Sequence, residues 1–409
     1  MPPSHSGSSP RRTGATGSPV ALAVASGLLC LAGAGPAAAF FNDQVEIWAA
    51  ENITHDTNVF RISDKLGPGA IGATQLSDTV YTTHLGITAG IELSQQRLEA
   101  AYTWYDSRYR YFKDLDFTGH TLRGAWNWKY DQLSGVAAYT ESEGLSSFSN
   151  IQAREKDLVL VRNGEIRGEW RATPRWLPNA RVTVTHTEHS NIQRRVNDIE
   201  AASGELGIKY ETPLENTFGA FARFERGRSP HTDLPTALEN EYDQSSLGAS
   251  VTWNLTGHSR FDGRAEYVRR SYVRFTDRDY DGPLFSGVLT WNPTPKTKVS
   301  FGALRQVGPP EDVTTSFVLV TGGYVRPQWE VTPKVLLQGN LEYNVWDYQG
   351  NPFSGDFTHR QRLAGASVQW KPWRRVFIQA GYNREVRTST LPTGDYDVDV
   401  YFIEGRIGF

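Results

Sequence analysis

The chain has 409 residues, with 42 Lys and Arg against 45 Asp and Glu and a formal net charge of −3. It carries no basic block, which leaves nucleic-acid binding without an electrostatic footprint. Its single cysteine, Cys30, lies within the first 39 residues, so once those are removed no thiol or disulfide chemistry remains.

Residues 1–39 have the layout of a secretory signal peptide. Arg11 and Arg12 precede an apolar run from Val20 to Ala34, and Ala37, Ala38 and Ala39 offer a small-residue cleavage site before Phe40. Cleavage there would leave residues 40–409 as one domain with 42 − 2 = 40 basic and 45 acidic residues, a net charge of −5. No later segment approaches the ~20 uninterrupted apolar residues of a membrane-spanning helix.

The first strand-like run begins at Val45 and leads into His55-Asp56-Thr57-Asn58-Val59-Phe60-Arg61-Ile62-Ser63-Asp64. From there an aromatic residue closes a strand-like run about every 40 residues: Tyr130, Trp170, Tyr210, Trp253, Trp291, Trp329, Trp370 and the terminal Phe409. Each period holds two apolar-alternating runs, a short turn and a longer loop. A β-propeller also repeats near 40 residues, but its blades use four short strands per period. Two longer runs per period predict an outer-membrane barrel whose aromatics mark one membrane depth at the foot of every second strand, where an amphipathic ring suits the headgroup level.

Alternation supports this along the chain. In Val335 to Val345, Val335, Leu337, Leu341 and Tyr343 oppose Gln338, Asn340, Glu342 and Asn344, with Leu336 as the exception. In the closing run Tyr401, Ile403, Gly405, Ile407 and Phe409 oppose Phe402, Glu404, Arg406 and Gly408. Period-two segments cannot be amphipathic helices. Short polar or proline-containing connections are expected at 94–96, 131–134, 173–179, 213–216, 255–258, 293–296, 332–333 and 371–374, and short turns belong on the periplasmic side. The fold predicted is an all-β, transmembrane, antiparallel, up-and-down barrel of about 18 strands, with 16 the other count the pattern allows. The weak points are 135–143 and 318–331, where Pro327 cannot donate a ladder hydrogen bond. Closure is required because an open sheet edge in hydrocarbon leaves backbone groups unpaired. A barrel of 16 to 18 strands has a lumen wide enough for water.

The stretch Asp56-Thr57-Asn58-Val59-Phe60-Arg61-Ile62 resembles the Asp-x-Asn-Val-Phe-Arg-Leu motif near the mature N-terminus of the exosortase-associated exopolysaccharide outer-membrane proteins, the EpsL type, with Ile62 in place of Leu. The resemblance implies a barrel associated with polysaccharide export and regarded as a transporter, with exopolysaccharide and periplasmic export proteins as partners. Outer-membrane lipid and the barrel-assembly machinery are partners of any such fold. No cofactor, catalytic constellation or enzyme activity is expected.

The inward phase collects alternating charge: Glu165, Arg167, Glu169 and Arg171 on one strand; Asp262, Arg264, Glu266 and Arg270 on another; then Glu342, Glu385, Arg387, Glu404 and Arg406. These could hydrogen-bond the hydroxyls of a passing solute, or pair between strands to brace the wall. A neutral residue at Arg264 is expected to alter transport more than stability. Asp56 to Asn58 could form an external turn; equally, Asn58, Phe60 and Arg61 could fold inward to line or gate the pore. Asp277, Asp279 and Asp281 begin a calcium-loop pattern but lack its final Glu, Val288 standing there, and read better as a solvated loop. Passive exopolysaccharide export is the leading functional expectation. A general or nutrient-uptake porin and a non-conducting surface anchor or adhesin are the alternatives.

Overall fold

Strands of 12 to 17 residues, long enough to cross a membrane at a tilt, alternate their side chains between two faces. Such a sheet is stable in lipid only if its two edges meet. The computed structural model describes residues 45–149, 151–231, 241–273, 279–308, 317–349 and 355–409, and in it they do meet. The strands are β1 (Val45–Asp56), β2 (Asp78–Leu93), β3 (Gln96–Tyr109), β4 (Phe117–Tyr130), β5 (Leu133–Leu145), β6 (Leu158–Trp170), β7 (Trp176–His189), β8 (Ile199–Glu211), β9 (Thr217–Arg228), β10 (Tyr242–Thr256), β11 (Ser259–Tyr272), β12 (Tyr280–Thr294), β13 (Thr297–Gly308), β14 (Phe317–Thr332), β15 (Val335–Gln349), β16 (Phe357–Trp373), β17 (Val376–Ser389) and β18 (Tyr396–Gly408). Each pairs antiparallel with its chain neighbours, and β1 pairs with β18 from Trp48 opposite Gly408 to Asp56 opposite Val400. The 18-stranded closed barrel expected from the repeat is therefore the fold. Residues 1–39, expected to be a signal peptide, lie outside those described.

The outward face is apolar and exposed. Leu206 and Leu247 are 71% and 70% accessible, a wasteful arrangement in water and the required one toward hydrocarbon. Trp170, Trp253, Trp291, Trp329 and Trp370 share that face just above the short turns. Tyr210 is there too, edge-on to Trp176 at 5.0 Å. Ser94 and Asp131 take left-handed backbone, φ 57° and 52°, in two of the six two-residue turns, a geometry that primed hairpin turns require.

Several strands run further into the expected turns than their prolines suggest. β7 passes through Pro178, just below the point, Asn179, where its ladder with β6 begins. β12 continues through Pro293 to Thr294 after a register shift. Similar shifts occur at Asn254/Thr256, Glu330/Thr332 and Trp370/Trp373, so four successive hairpins absorb extra residues as bulges above the turn. Pro327 lies within β14. Its register with β13 is kept, opposite Val299, but the β14–β15 pairing breaks between Val325 and Gln328. Gly339 lies beside the ring, where an added Cβ would be 3.0 Å from Pro327 Cγ.

At the opposite end the inward-facing side chains are buried and largely apolar. Tyr242, Val268, Tyr272, Tyr280 and Leu284 form one cluster, which Leu319 joins from the opposite phase of β14 above the point where β13 stops pairing with β12, and Val318, Val320, Tyr348 and Phe357 form another. A third unites Val59, Phe60, Ile62, Ile71, Tyr109, Phe112, Leu115 and Phe148 from three outer connections and the end of β3. The barrel thus has a polar middle and an apolar outer rim.

Candidate functional site

The lumen wall is built from the inward phase of β6 to β11. Near the short turns, Lys209 bonds Glu169 at 2.8 Å. Above them Glu165 lies between Arg167 and Arg181, at 3.5 and 3.6 Å. Higher still, Arg264 makes two bonds to Glu205, of 2.6 and 3.3 Å, from three strands away. It crosses Phe221 on the way, its guanidinium carbon 3.4 Å from the ring centroid. Arg223 bonds Glu225 and approaches Glu266 at 4.0 Å. Arg270 ends the series, bonded to Gln244 at 2.8 Å, 3.7 Å from Glu225 and stacked on Tyr242 at 3.9 Å. Exposure is 20 to 29% for the side chains of Glu165, Arg167 and Arg181 but 8 to 14% for Glu205, Glu266, Glu225 and Arg270, so the ladder is wetted in its lower part and its upper carboxylates are largely buried.

The remaining wall is sparser. Arg326 meets Glu342 at 3.3 Å. At the seam Arg406 bonds Glu46 at 3.1 Å and stacks on Trp48 at 4.1 Å, while Asn52 donates to Glu404 at 3.5 Å. Trp48 lies flat over Gly86 on β2, where an added Cβ would fall 2.1 Å from the indole.

Above the wall, the loop 57–77 folds into a cap. Asp56 Oδ1 accepts the Asn58 N–H at 2.8 Å, forming an Asx turn, and Oδ2 accepts from Arg61 Nη1 at 2.8 Å. Asn58 bonds Ile62 in both directions: Nδ2 donates to its carbonyl at 2.8 Å and Oδ1 accepts its N–H at 2.9 Å. Arg61 has φ 56°, a left-handed conformation costing a non-glycine residue about 1–2 kcal/mol, which these bonds offset. Phe60 is fully buried, its ring 4.8 Å from both Phe112 and Phe148. Links to neighbouring connections complete the cap: Gln152 Nε2 to the Arg61 carbonyl at 2.7 Å, Arg154 to Asp114 at 2.6 Å, and Lys65 to Asp395 at 2.9 Å. Burial alone would lower the Arg61 pKa, but Asp56, Glu385 and Tyr396 beside it outweigh burial and raise it. Asp56 to Asn58 thus form the turn, while Phe60 packs among neighbouring connections and Arg61 reaches Asp56 and Glu385.

The charged candidates divide by position. Glu165, Arg167, Glu169, Asp262, Arg264, Glu266, Arg270, Glu342, Glu404 and Arg406 occupy the inward phase of their strands. Arg171 does not line the wall: β6 ends at Trp170, and Arg171 bonds Glu211 at 2.9 Å and the Pro174 carbonyl at 3.1 Å in the turn below. Glu385 and Arg387 face inward but are buried beneath the cap and the last outer connection, where Glu385 accepts from Tyr396 and Gln361 and Arg387 Nε donates to the Gly394 carbonyl. Asp277 lies outside the described residues. Asp279 accepts the Tyr272 N–H at 2.8 Å, and Asp281, on the outward face, pairs with Arg269 at 3.2 Å, so these two carboxylates serve different neighbours. Glu205, Arg223 and Glu225 were missed by sequence reasoning. Alternation in β9, with Phe218, Ala220, Ala222 and Phe224 outward, would have found the latter two had Phe221 not occupied the inward phase.

A family model described as putative beta-barrel porin 2 matches residues 198–408. No curated protein sequence matches. Among solved structures, Pseudomonas aeruginosa OccK2 (OpdF) has a TM-score of 0.50 at 10% identity, covering 89% of this chain and 98% of its own. A BenF-like porin from Pseudomonas fluorescens Pf-5 has a TM-score of 0.49 at 8% identity, covering 90% and 99%. At such identity the first likeness shows the barrel fold.

Proposed function

Because the chain belongs to the putative beta-barrel porin 2 family, a porin-like barrel of the Gram-negative outer membrane, we propose that it is a passive channel for small hydrophilic solutes. The observation that carries this reading is the ion-pair ladder running up the lumen wall from Lys209 and Glu169 to Arg270 and Glu225, wetted in its lower part. Paired charges present donors and acceptors to a solute without a large field of one sign, which suits polar, weakly charged molecules. The cap and the apolar outer rim favour small solutes over a polymer. This reading ranks above exopolysaccharide export, which rests on the resemblance of Asp56 to Ile62. In this chain those residues bond mainly to one another and to neighbouring loops.

Reconstitution in planar bilayers, with liposome swelling in sugars of increasing length, tests the proposal. A steady conductance and swelling that falls off beyond short oligosaccharides are expected. A folded, reconstituted protein that stays silent even after deletion of 57–77 would favour the anchor reading. Retention of polymer inside cells lacking the gene would favour export.

A further inference from the structure

The outward face carries charge at its outer end, and most of it is matched. Arg162 pairs with Glu141 at 3.0 Å, Arg228 with Glu200 at 2.6 Å, Arg226 with Asp243 at 3.6 Å, and Arg384 with Asp397 at 2.5 Å. Three arginines on the same face depart from this: Arg305 on β13, and Arg360 and Arg362 on β16. The cross-strand row Phe285, Arg305, Thr321, Val345, Arg360 and the pairing of Arg362 with Tyr343 fix their facing, because Phe285 and Tyr343 are exposed outward. Among the described residues none of the three has a carboxylate within ion-pair distance. Arg305 Nη1 reaches only the Thr321 hydroxyl, at 3.1 Å, and its buried Nε has no acceptor. Asp347, on the same face, is engaged by the Thr358 hydroxyl at 2.9 Å.

Height decides what could complete them. Arg362 and Arg360 lie eight and ten residues above Trp370 along β16, roughly 20 and 25 Å for a strand tilted by ~40°. An apolar band is about 25 Å tall, and an outward arginine costs ~2–4 kcal/mol at its midplane but ~0–1 near its edge. Arg305 pairs with Thr321, eight residues above Trp329 on β14, and so stands at a similar height; the three are at or near the outer headgroup level. The outer leaflet of this membrane is made of phosphorylated glucosamine disaccharide lipid, and the guanidinium fork matches phosphate oxygens two at a time. Arg305 and Arg360 stand three strand spacings apart, about 14 Å, a span suited to phosphates at opposite ends of a disaccharide. Val345 and Tyr343 between them offer an apolar floor for its acyl chains.

We propose that Arg305, Arg360 and Arg362 form an external binding site for the phosphates of the outer-leaflet phosphoglycolipid. The test uses the full barrel in detergent, titrated with lipid A, enzymatically dephosphorylated lipid A and phosphatidylglycerol, with native mass spectrometry as the readout. Lipid A should bind more tightly than either comparison lipid, and millimolar inorganic phosphate should compete only weakly. The triple variant Arg305→Gln, Arg360→Gln, Arg362→Gln should bind lipid A about 100-fold more weakly, the scale expected for three cations near anionic headgroups. Arg226→Gln, at a matched position, should bind as the parent does. Equal binding of dephosphorylated lipid A or phosphatidylglycerol by the parent overturns the proposal, as does equal loss in Arg226→Gln or none in the triple variant. The lipid comparison on the parent decides the matter even if the triple variant fails to fold.

Discussion

Arg61 Nε lies 4.0 Å from Glu385 Oε2, so a residue from the first outer loop is clamped to the seventeenth strand. The same guanidinium holds Asp56, which makes Arg61 the joint between cap and wall. Arg61→Gln should free the cap and leave Asp56 short of a charged donor, at a cost of about 1–3 kcal/mol. Single-channel conductance should rise and loop 57–77 should become susceptible to protease, while the unheated protein still migrates as a folded barrel on gels. Unchanged conductance and protection would show that Phe60 packing alone holds the cap.

Arg264 and Ala265 are neighbours on opposite faces of β11. Ala265→Arg places a charge toward lipid about midway up the wall and should cost roughly 2–4 kcal/mol, read from urea titration in lipid vesicles. Arg264→Gln is not the mild change that an inward phase alone suggests. Glu205, only 8% exposed, would lose both its bonds to Arg264, costing about 1–3 kcal/mol. The double variant Glu205→Gln, Arg264→Gln should recover part of that loss and still change ion selectivity. If Ala265→Arg is neutral, the facing of β11 is wrong.

Phe409 is 64% exposed on the lipid face, and its N–H donates to the Ile47 carbonyl at 2.8 Å. Deleting it removes an aromatic from the girdle and a bond across the seam. Outer-membrane assembly, followed by heat-modifiable mobility in cell envelopes, should fall. Assembly at the parental level would show that neither the Phe409 ring nor its seam bond contributes to it.

Acid should loosen the cap before the barrel. The hydrogen bond from Lys65 is the main cause holding the Asp395 carboxyl below its ordinary range, and that from Arg154 does the same for Asp114. A carboxylate with a depressed folded pKa adds stability above its unfolded pKa, and that contribution is lost as pH falls through the folded value. The loss therefore belongs below about pH 4. Both pairs are partly exposed, so each contributes little and is screened by salt. Hydrogen exchange in 57–77 and 146–157 should accelerate there while strand amides stay protected. Exchange unchanged down to pH 2 would remove these pairs from the account of the cap.

The barrel was legible because its physics is periodic. A side chain every second position must choose lipid or water, so runs such as Tyr401 to Phe409 declare their facing, and the Trp series declares the strand ends. The turn boundaries were less legible. Prolines 178, 293 and 327 read as breaks, yet a sheet tolerates them where a ladder begins, at a bulge or opposite a glycine, none of which is local information. The site was legible in composition and not in pairing. Arg264 and Glu205 are 59 residues apart and meet across the two strands, β9 and β10, and the Phe221 ring that lie between them. Arg171 followed the inward phase one residue past the end of its strand. Tyr348, Phe357 and Tyr396 stand at strand ends beside polar loops yet are buried, because the outer connections pack on the strand ends.

The pairing of Trp48 with Gly408 and Asp56 with Val400 also bears on how the chain acquires its shape. Every other strand contact joins sequence neighbours and can zip up from a hairpin, but the seam brings together residues some 350 positions apart. Until it forms, β1 and β18 each expose a row of unmet backbone groups, the kind of edge that recruits foreign strands. Loop-closure entropy grows only logarithmically with length, so the penalty lies less in the equilibrium than in the waiting time. A catalyst that shelters both edges until they meet would speed the slowest step without altering the final stability. Spontaneous refolding should then lag hairpin formation, with the β1–β18 contact the last to appear.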